Sequence, residues 1–314
     1  MPKHLPHWLP SLFGITLLSV SLWAMSRELR QYQIGEILYT LSAIPKHDVV
    51  LAVGLTLLSC IVFTGYDTLA VLYIRYPLPY CKTALAAITS IPISNSIGFA
   101  LLSGGAIRYR FYTSWGLSAA KIAQVIAFCS LTFWLGLFAV GGVMFLLEPV
   151  AVPTLLHLPF KSVHPIGVLF LSAIAAYLLW NTCSDRRPLK IRNWTVPHLP
   201  VHLCLAQIVI SSVDWTLAAT VLYVLLPSTP SLSYSAFFGV YLFAQLAGVV
   251  SNVPGGLGIF ETVILLLLSA SIPSNILFGA LLAYRAIYYL LPLSIAMLLL
   301  GIYELRQRYF TSQD

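Results

Sequence analysis

Long apolar runs alternate with short polar stretches along the whole chain, and the runs have membrane-crossing length. A spanning helix needs about 20 mostly apolar residues, and a helix satisfies its own backbone in lipid. The pattern predicts spans at 9–25, 49–72, 119–145, 164–181, 199–226 and 275–303. Trp8, Trp23, Trp180 and Trp194 stand near proposed span ends, where amphipathic rings favour the interface. Two further apolar stretches, 83–104 and 235–270, are interrupted. The first carries Pro92, Ser94, Asn95, Ser96 and Gly98, then Gly104-Gly105; the second carries Ser251, Asn252, Pro254, Gly255, Gly256 and Gly258. Such residues break helices, and broken backbone at membrane depth persists only where protein or a wet cavity satisfies it.

The interruptions fall in matching places. Ser94-Asn95 and Ser251-Asn252 are 157 residues apart, half of 314. The same offset moves 9–25 to 166–182 and 119–145 to 276–302, onto the fifth run and the last. An internal repeat follows, each half holding two spans, one broken element and one more span. If each broken element re-enters, each half has three full spans and the halves are inverted; paired breaks of this kind point to a transport site. The fold class expected is all-α: a polytopic membrane protein with six to eight transmembrane helices and two broken or re-entrant elements. We expect one membrane domain over 1–314, with repeat halves near 1–157 and 158–314.

Composition agrees. Charged residues are 9% of the chain against roughly 25% in soluble proteins, too few to cover a water-exposed surface. Hydrophobic residues reach 59%, which also excludes disorder. The net charge of +7 is read as topology, since Lys and Arg collect in cytoplasmic loops. No solvated basic face for nucleic acid is visible. Lys and Arg divide 12 to 4 between the two sides whether 83–104 re-enters or crosses, so 182–198 and the C-terminus are cytoplasmic under either reading. The apolar run near the N-terminus has no A-x-A-like cleavage site and is expected to be retained. Cys60, Cys81, Cys129, Cys183 and Cys204 form no C-x-x-C pair and are read as small hydrophobes. His198 and His202 lack a third ligand at metal spacing, and no cofactor motif is present.

Candidate chemistry lies in the ionisable residues within the runs, each costing about 2.5–3.5 kcal/mol at mid-bilayer. Asp67 lies in the second run, Asp214 in the sixth, Glu261 ends PGGLGIFE (254–261), and Arg285 stands in YRAIYYLLP (284–292). They call for mutual pairing, for a wet cavity that binds a charged headgroup, or for both. Arg108 and Arg110 in GGAIRYRFY (104–112) flank a break, and a guanidinium fork suits a phosphate. Positive-inside flanking explains them equally well. The glycines of PGGLG suit a tight turn that offers backbone amides to a lipid phosphate.

SNSIGFALLSGGAIRYRFYTSWGLS (94–118), SSVDWTLAATVLYVLLP (211–227), SNVPGGLGIFE (251–261) and YRAIYYLLPL (284–293) carry a family likeness. They resemble the membrane domain of the bacterial lysylphosphatidylglycerol synthase/flippase family, the multiple peptide resistance factors. The likeness runs from about residue 49 to 303. It implies a multi-pass protein of the bacterial plasma (inner) membrane that moves aminoacylated phosphatidylglycerol to the outer leaflet and supports resistance to antimicrobial peptides. It also implies a homodimer, and polar intramembrane positions at Asp67, Arg108, Asp214, Glu261 and Arg285. The chain stops at Asp314 after the last run, without the family's cytosolic aminoacyl-transferase domain, so synthase activity is not expected.

The expected function is therefore a phospholipid translocase without cofactor. Arg108 holds the lipid phosphate, Asp67, Asp214 and Glu261 face a cationic headgroup, and Arg285 pairs with an acid. Ser94, Asn95, Ser251, Asn252, Gly255 and Gly256 line the path. Two other classes stay open: an accessory subunit that scaffolds a separately encoded lipid-modifying enzyme, and an intramembrane transferase with Asp214 or Glu261 as base.

Overall fold

The computed structural model describes residues 44–97, 100–148, 162–183, 189–191, 194–196, 199–229, 232–251 and 254–311. The predicted span at 9–25 lies outside the described residues. Five described helices are long and apolar enough to cross a bilayer. They are α1 (Lys46–Tyr73), α4 (Ala119–Leu147), α5 (His164–Cys183), α6 (Val201–Leu225) and a final run from Ser274. The run comprises α9 (Ser274–Tyr284), a π-helical turn (Arg285–Leu290) and α10 (Leu291–Thr311). These match the predicted runs closely, because the ends of apolar sequence set the ends of a helix in lipid. The architecture is the expected all-α polytopic one. Leu189–Ile191 (β1) and Trp194–Val196 (β2) add a short antiparallel hairpin in the loop read as cytoplasmic.

The interrupted stretches become pairs of short helices. The first is α2 (Tyr80–Ile97) followed by α3 (Ala100–Ser114); the second is α7 (Tyr234–Val250), a 3-10 turn (Pro254–Gly256) and α8 (Ile259–Leu268). At 1.5 Å per residue, α7 and α8 extend about 26 and 15 Å, short of the roughly 30 Å hydrocarbon core. The first break is narrower than the sequence suggested. Ser94, Asn95 and Ser96 sit in the last turns of α2, Pro92 is inside it, and Gly104-Gly105 is inside α3. Ser94 Oγ donates to the Ser90 carbonyl (2.8 Å), which lets a serine stay helical. Gly104 serves packing: a β-carbon there would collide with Ser94 Oγ and meet the Ser90 carbonyl at 3.2 Å, so α3 lies directly on α2.

Among the described residues, the 157-residue offset brings four elements beside counterparts. It carries α1 to 203–230 beside α6, α2 to 237–254 beside α7, α3 to 257–271 beside α8, and α4 to 276–304 inside the final run. Close helix approaches are made at glycines, as lipid-embedded packing favours. A β-carbon at Gly136 of α4 would lie 2.6 Å from the Ser211 backbone of α6, and one at Gly142 would lie 2.7 Å from Leu171 of α5. Two large apolar cores result, with a small cluster of Cys60, Phe63 and Ala87 beside them. One gathers Phe145, Phe237, Tyr241, Phe260 and Tyr284; the other gathers Tyr66, Phe111, Tyr112, Ile122 and Val125. Val50, Leu57, Ile61, Leu169 and Leu298 face outward, as a lipid-facing surface requires.

Candidate functional site

Of the charged residues singled out from the sequence, five are buried in the bundle, while Arg110 is partly exposed and pairs with Glu304. Asp67 is fully enclosed, and Arg108, Asp214, Glu261 and Arg285 are each less than a tenth exposed. Left alone, each would carry a large desolvation cost, so the partners decide what the site can do.

Asp67 of α1 takes Arg108 of α3. Nε of the arginine donates to Oδ1 and Oδ2 (2.9 and 3.2 Å), Nη2 donates to Oδ2 (2.7 Å), and the Tyr112 hydroxyl donates to Oδ1 (2.9 Å). Arg108 and Tyr112 are one helical turn apart, so both reach the same carboxylate. Nη1 remains, directed to the glycine face of its own helix, 3.4 Å from where a Gly104 β-carbon would stand. On α2, Ser90 Oγ and Ser96 Oγ are enclosed with no hydrogen-bond partner among the described residues.

Glu261 opens α8. Its Oε2 accepts the Gly258 N–H (2.8 Å), satisfying a helix-start amide. Its Oε1 accepts from Arg285 Nε (2.7 Å) and stands 2.6 Å from Nη2 in the same ion pair, while Arg285 Nη1 donates to the Gly255 carbonyl (2.9 Å). The guanidinium also lies over the Tyr289 ring, 4.5 Å from its centroid. One side chain thus ties the PGG turn, α8 and the π turn together. Gly255, Gly256 and Gly258 have positive φ (62°, 63° and 80°), which explains why glycine stands at each. Within the turn, the Gly258 amide and the Gly255 carbonyl are engaged inside the protein, so the Gly258 amide is not one that a lipid phosphate can take.

Asp214 of α6 has different company. Ser59 Oγ donates to Oδ1 (3.1 Å) and the Tyr66 hydroxyl to Oδ2 (2.8 Å), both from α1. Among the described residues, no Lys, Arg or His pairs with it. Tyr66 also lies 3.0 Å from Ser211 Oγ, and Ser59 Oγ is 3.5 Å from the Tyr288 hydroxyl on the π turn. Tyr66 belongs to one apolar core and Tyr288 to the other, so Asp214 sits where the two cores meet.

The two breaks touch. A β-carbon at Gly255 would lie 3.4 Å from the Ser96 carbonyl and 3.5 Å from that of Asn95. With this contact the polar groups close into a circuit. It runs from Asp67 through Arg108, across Gly104 to Ser94, Asn95 and Ser96, then to Gly255 and Arg285. Tyr288, on the same π turn as Arg285, continues through Ser59 and Asp214 to Tyr66, the neighbour of Asp67. Ser251 is nearby in sequence but caps α7, donating to the Gly248 carbonyl (2.6 Å). Asn252 lies outside the described residues. Ser59, Tyr66, Tyr112, Ser211 and Tyr288 complete the site and were not singled out from sequence. The signals for them are spacings: i, i+7 for Ser59 and Tyr66, i, i+4 for Arg108 and Tyr112, and i, i+3 for Ser211 with Asp214 and for Arg285 with Tyr288.

The profile of the lysylphosphatidylglycerol synthase TM region matches residues 11–296. An uncharacterized protein of Synechocystis is 51% identical over 298 residues, covering 95% of this chain and 92% of that one. The inner membrane protein YbhN of Escherichia coli is 30% identical over 249 residues, covering 79% of this chain and 77% of its own. A phosphatidylglycerol lysyltransferase of Staphylococcus haemolyticus is 27% identical over 253 residues, 76% of this chain and 27% of that longer protein.

Proposed function

Because the chain belongs to the lysylphosphatidylglycerol synthase TM-region family, we propose that it is a phospholipid translocase of the bacterial plasma membrane. The observation that carries this reading is the circuit of buried polar groups around two touching helix breaks. Enclosing this many polar groups carries a desolvation cost that a purely structural bundle can largely avoid by apolar packing. Paired breaks meeting at one place are the arrangement expected where a polar group passes a bilayer.

Arg108 Nη1, Ser90 Oγ and Ser96 Oγ offer donors to a lipid phosphate, which a guanidinium recognises through charge-assisted hydrogen bonds. Asp214 offers the unpaired negative charge. Asp67 and Glu261 each already hold an arginine, so their part is to position Arg108 and Arg285. A lipid carrying both phosphate and ammonium groups, such as an aminoacylated phosphatidylglycerol, matches donors on one side and a carboxylate on the other. The chain transfers no aminoacyl group in this reading.

The test is headgroup movement in liposomes that hold only the purified protein. Phosphatidylglycerol and lysyl-phosphatidylglycerol are each placed in one leaflet, and their appearance in the other is followed by headgroup labelling with a membrane-impermeant reagent. Movement faster than in protein-free liposomes, and slowed by Arg108→Gln at equal protein content, is the expected result. Rates equal to protein-free liposomes for both lipids remove the translocase reading.

A further inference from the structure

Among the described residues three acids are buried, and two of them are neutralised by arginine. Asp67 holds Arg108 and Glu261 holds Arg285, while Asp214 is met only by the neutral hydroxyls of Ser59 and Tyr66. A carboxylate in a low-dielectric interior is stabilised most by a cation, and hydroxyl donors offset only part of the desolvation cost. The titratable groups close enough to feel its charge are Cys60 and Tyr66 on α1, Tyr288 on the π turn and Tyr241 on α7. All are neutral when protonated, and α4 brings the Phe133 carbonyl, through Ser211 and Trp215, and the thiol of Cys129, close to Tyr66 and also neutral when protonated. Nothing described around Asp214 supplies the missing positive charge.

We propose that Asp214 is a proton-binding site and that its loading and unloading drive the proposed lipid translocation. The proton comes from the aqueous phase and adds to one carboxylate oxygen, leaving a neutral carboxyl; release restores the carboxylate. The hydrogen-bond inventory gives the mechanical consequence. Ser59 has a single hydroxyl hydrogen, which it gives to the carboxylate at 3.1 Å while Tyr288 waits at 3.5 Å. A carboxyl group asks for fewer donors, so protonation frees Ser59 to bond Tyr288. Tyr66 likewise divides one hydrogen between Asp214 (2.8 Å) and Ser211 (3.0 Å). Tyr288 lies in the π-helical turn that begins at Arg285, the residue clamping Glu261 and the Gly255 carbonyl. Single π turns in long helices concentrate at functional sites. The state of Asp214 is thereby passed to the contact between the two breaks, and proton-carrying carboxyls inside spans are a known use of intramembrane acids.

The coupling rests on the translocase reading, but proton binding can be read without any lipid movement. Reconstituted protein is titrated by infrared difference spectroscopy at constant sodium. The expected result is a protonated-carboxyl band that titrates with pH, is absent in Asp214→Asn, and is retained in Asp67→Asn and Tyr288→Phe. Absence of the band in the wild type, or its survival in Asp214→Asn, overturns the proton site. A carboxylate band that answers to sodium and not to pH also overturns it, in favour of a sodium ion. Lipid movement is then followed with an imposed pH gradient, where one unit changes the rate by up to about tenfold if a single proton drives it. Tyr288→Phe keeps the carboxyl and is expected to lose the gradient response, which separates coupling from a failure to fold. Lipid movement indifferent to the gradient in the wild type overturns the coupling. A titrating band with no lipid movement under any condition upholds the proton site and removes the lipid reading instead.

Discussion

Tyr66 and Asp67 are neighbours in the chain yet bond in different directions, Tyr66 to Asp214 on α6 and Asp67 to Arg108 on α3. One turn of α1 therefore joins the unpaired acid of the site to one of its ion pairs. A shift of α1 changes both sets of partners at once, so substitutions on either side of this turn are expected to be coupled.

The Asp67–Arg108 pair is the first place to look for that coupling. Truncating one partner leaves a charge enclosed without its counter-ion, which costs about 3–5 kcal/mol. Arg108→Ala and Asp67→Ala are each expected to destabilise the detergent-solubilised protein by this order. The double variant should be less destabilised than the sum of the two, as contacting groups are in a mutant cycle. Unfolding by heat, read as monodisperse protein remaining, measures all three. Additive losses would mean that the two side chains act independently, against three hydrogen bonds between them.

Arg285→Lys is the second prediction. The guanidinium reaches Glu261 with Nε and Nη2 and the Gly255 carbonyl with Nη1, two targets that a planar fork can serve together. An ammonium keeps the charge but is a single point, so it holds Glu261 and releases the turn. Lipid movement should fall in Arg285→Lys while thermal stability stays near that of the wild type. Arg285→Ala, which also strips Glu261 of its counter-ion, should lose both.

How far the sequence goes is visible at the same residues. The spans were legible because lipid sets a length and a polarity that the amino acids must meet. The two breaks were legible from Pro, Gly, Ser and Asn, and their 157-residue spacing predicted the correspondence of α2 and α3 with α7 and α8. The intramembrane charges announced themselves by their cost. Their pairing did not, since Asp67 could have met Arg285 as readily as Arg108 on composition alone. The hydroxyl groups around Asp214 were hidden for another reason: Ser and Tyr are common in apolar helices, where Ser commonly bonds its own backbone. The contact of Gly255 with α2 is a property of the folded chain, which no spacing encodes.

A third prediction concerns packing away from the charges. Gly136 on α4 leaves no room for a β-carbon against Ser211 on α6, and Ser211 shares the Tyr66 hydroxyl with Asp214. Gly136→Ala is expected to cost about 1–3 kcal/mol as an overpacked interface. It should also alter lipid movement, because α6 must shift with Asp214 on it. Gly54 on α1, with nothing within 4 Å, is the matched control. Gly54→Ala should leave both stability and movement at or slightly above the wild-type level, since alanine favours the helix.

The last prediction separates backbone strain from contact at the second break. Gly255 and Gly258 both have positive φ, but their surroundings differ: Gly255 faces the Asn95 and Ser96 carbonyls, whereas Gly258 has no atom within 4 Å of a β-carbon. Alanine at either position incurs the left-handed penalty of about 1–2 kcal/mol, so alanine scanning alone cannot tell them apart. Asparagine can, because it visits the left-handed region, which Gly255 (φ 62°, ψ 9°) borders and Gly258 (φ 80°, ψ −38°) does not, and it carries a larger side chain. Gly258→Asn is expected to lose stability through backbone strain while the folded protein keeps its lipid movement, since the space is open and the Gly258 N–H still reaches Glu261. Gly255→Asn should keep its backbone geometry yet push against the end of α2, slowing lipid movement at unchanged protein yield. Equal behaviour of the two asparagine variants in the liposome assay would show that contact between the breaks does not contribute to transport.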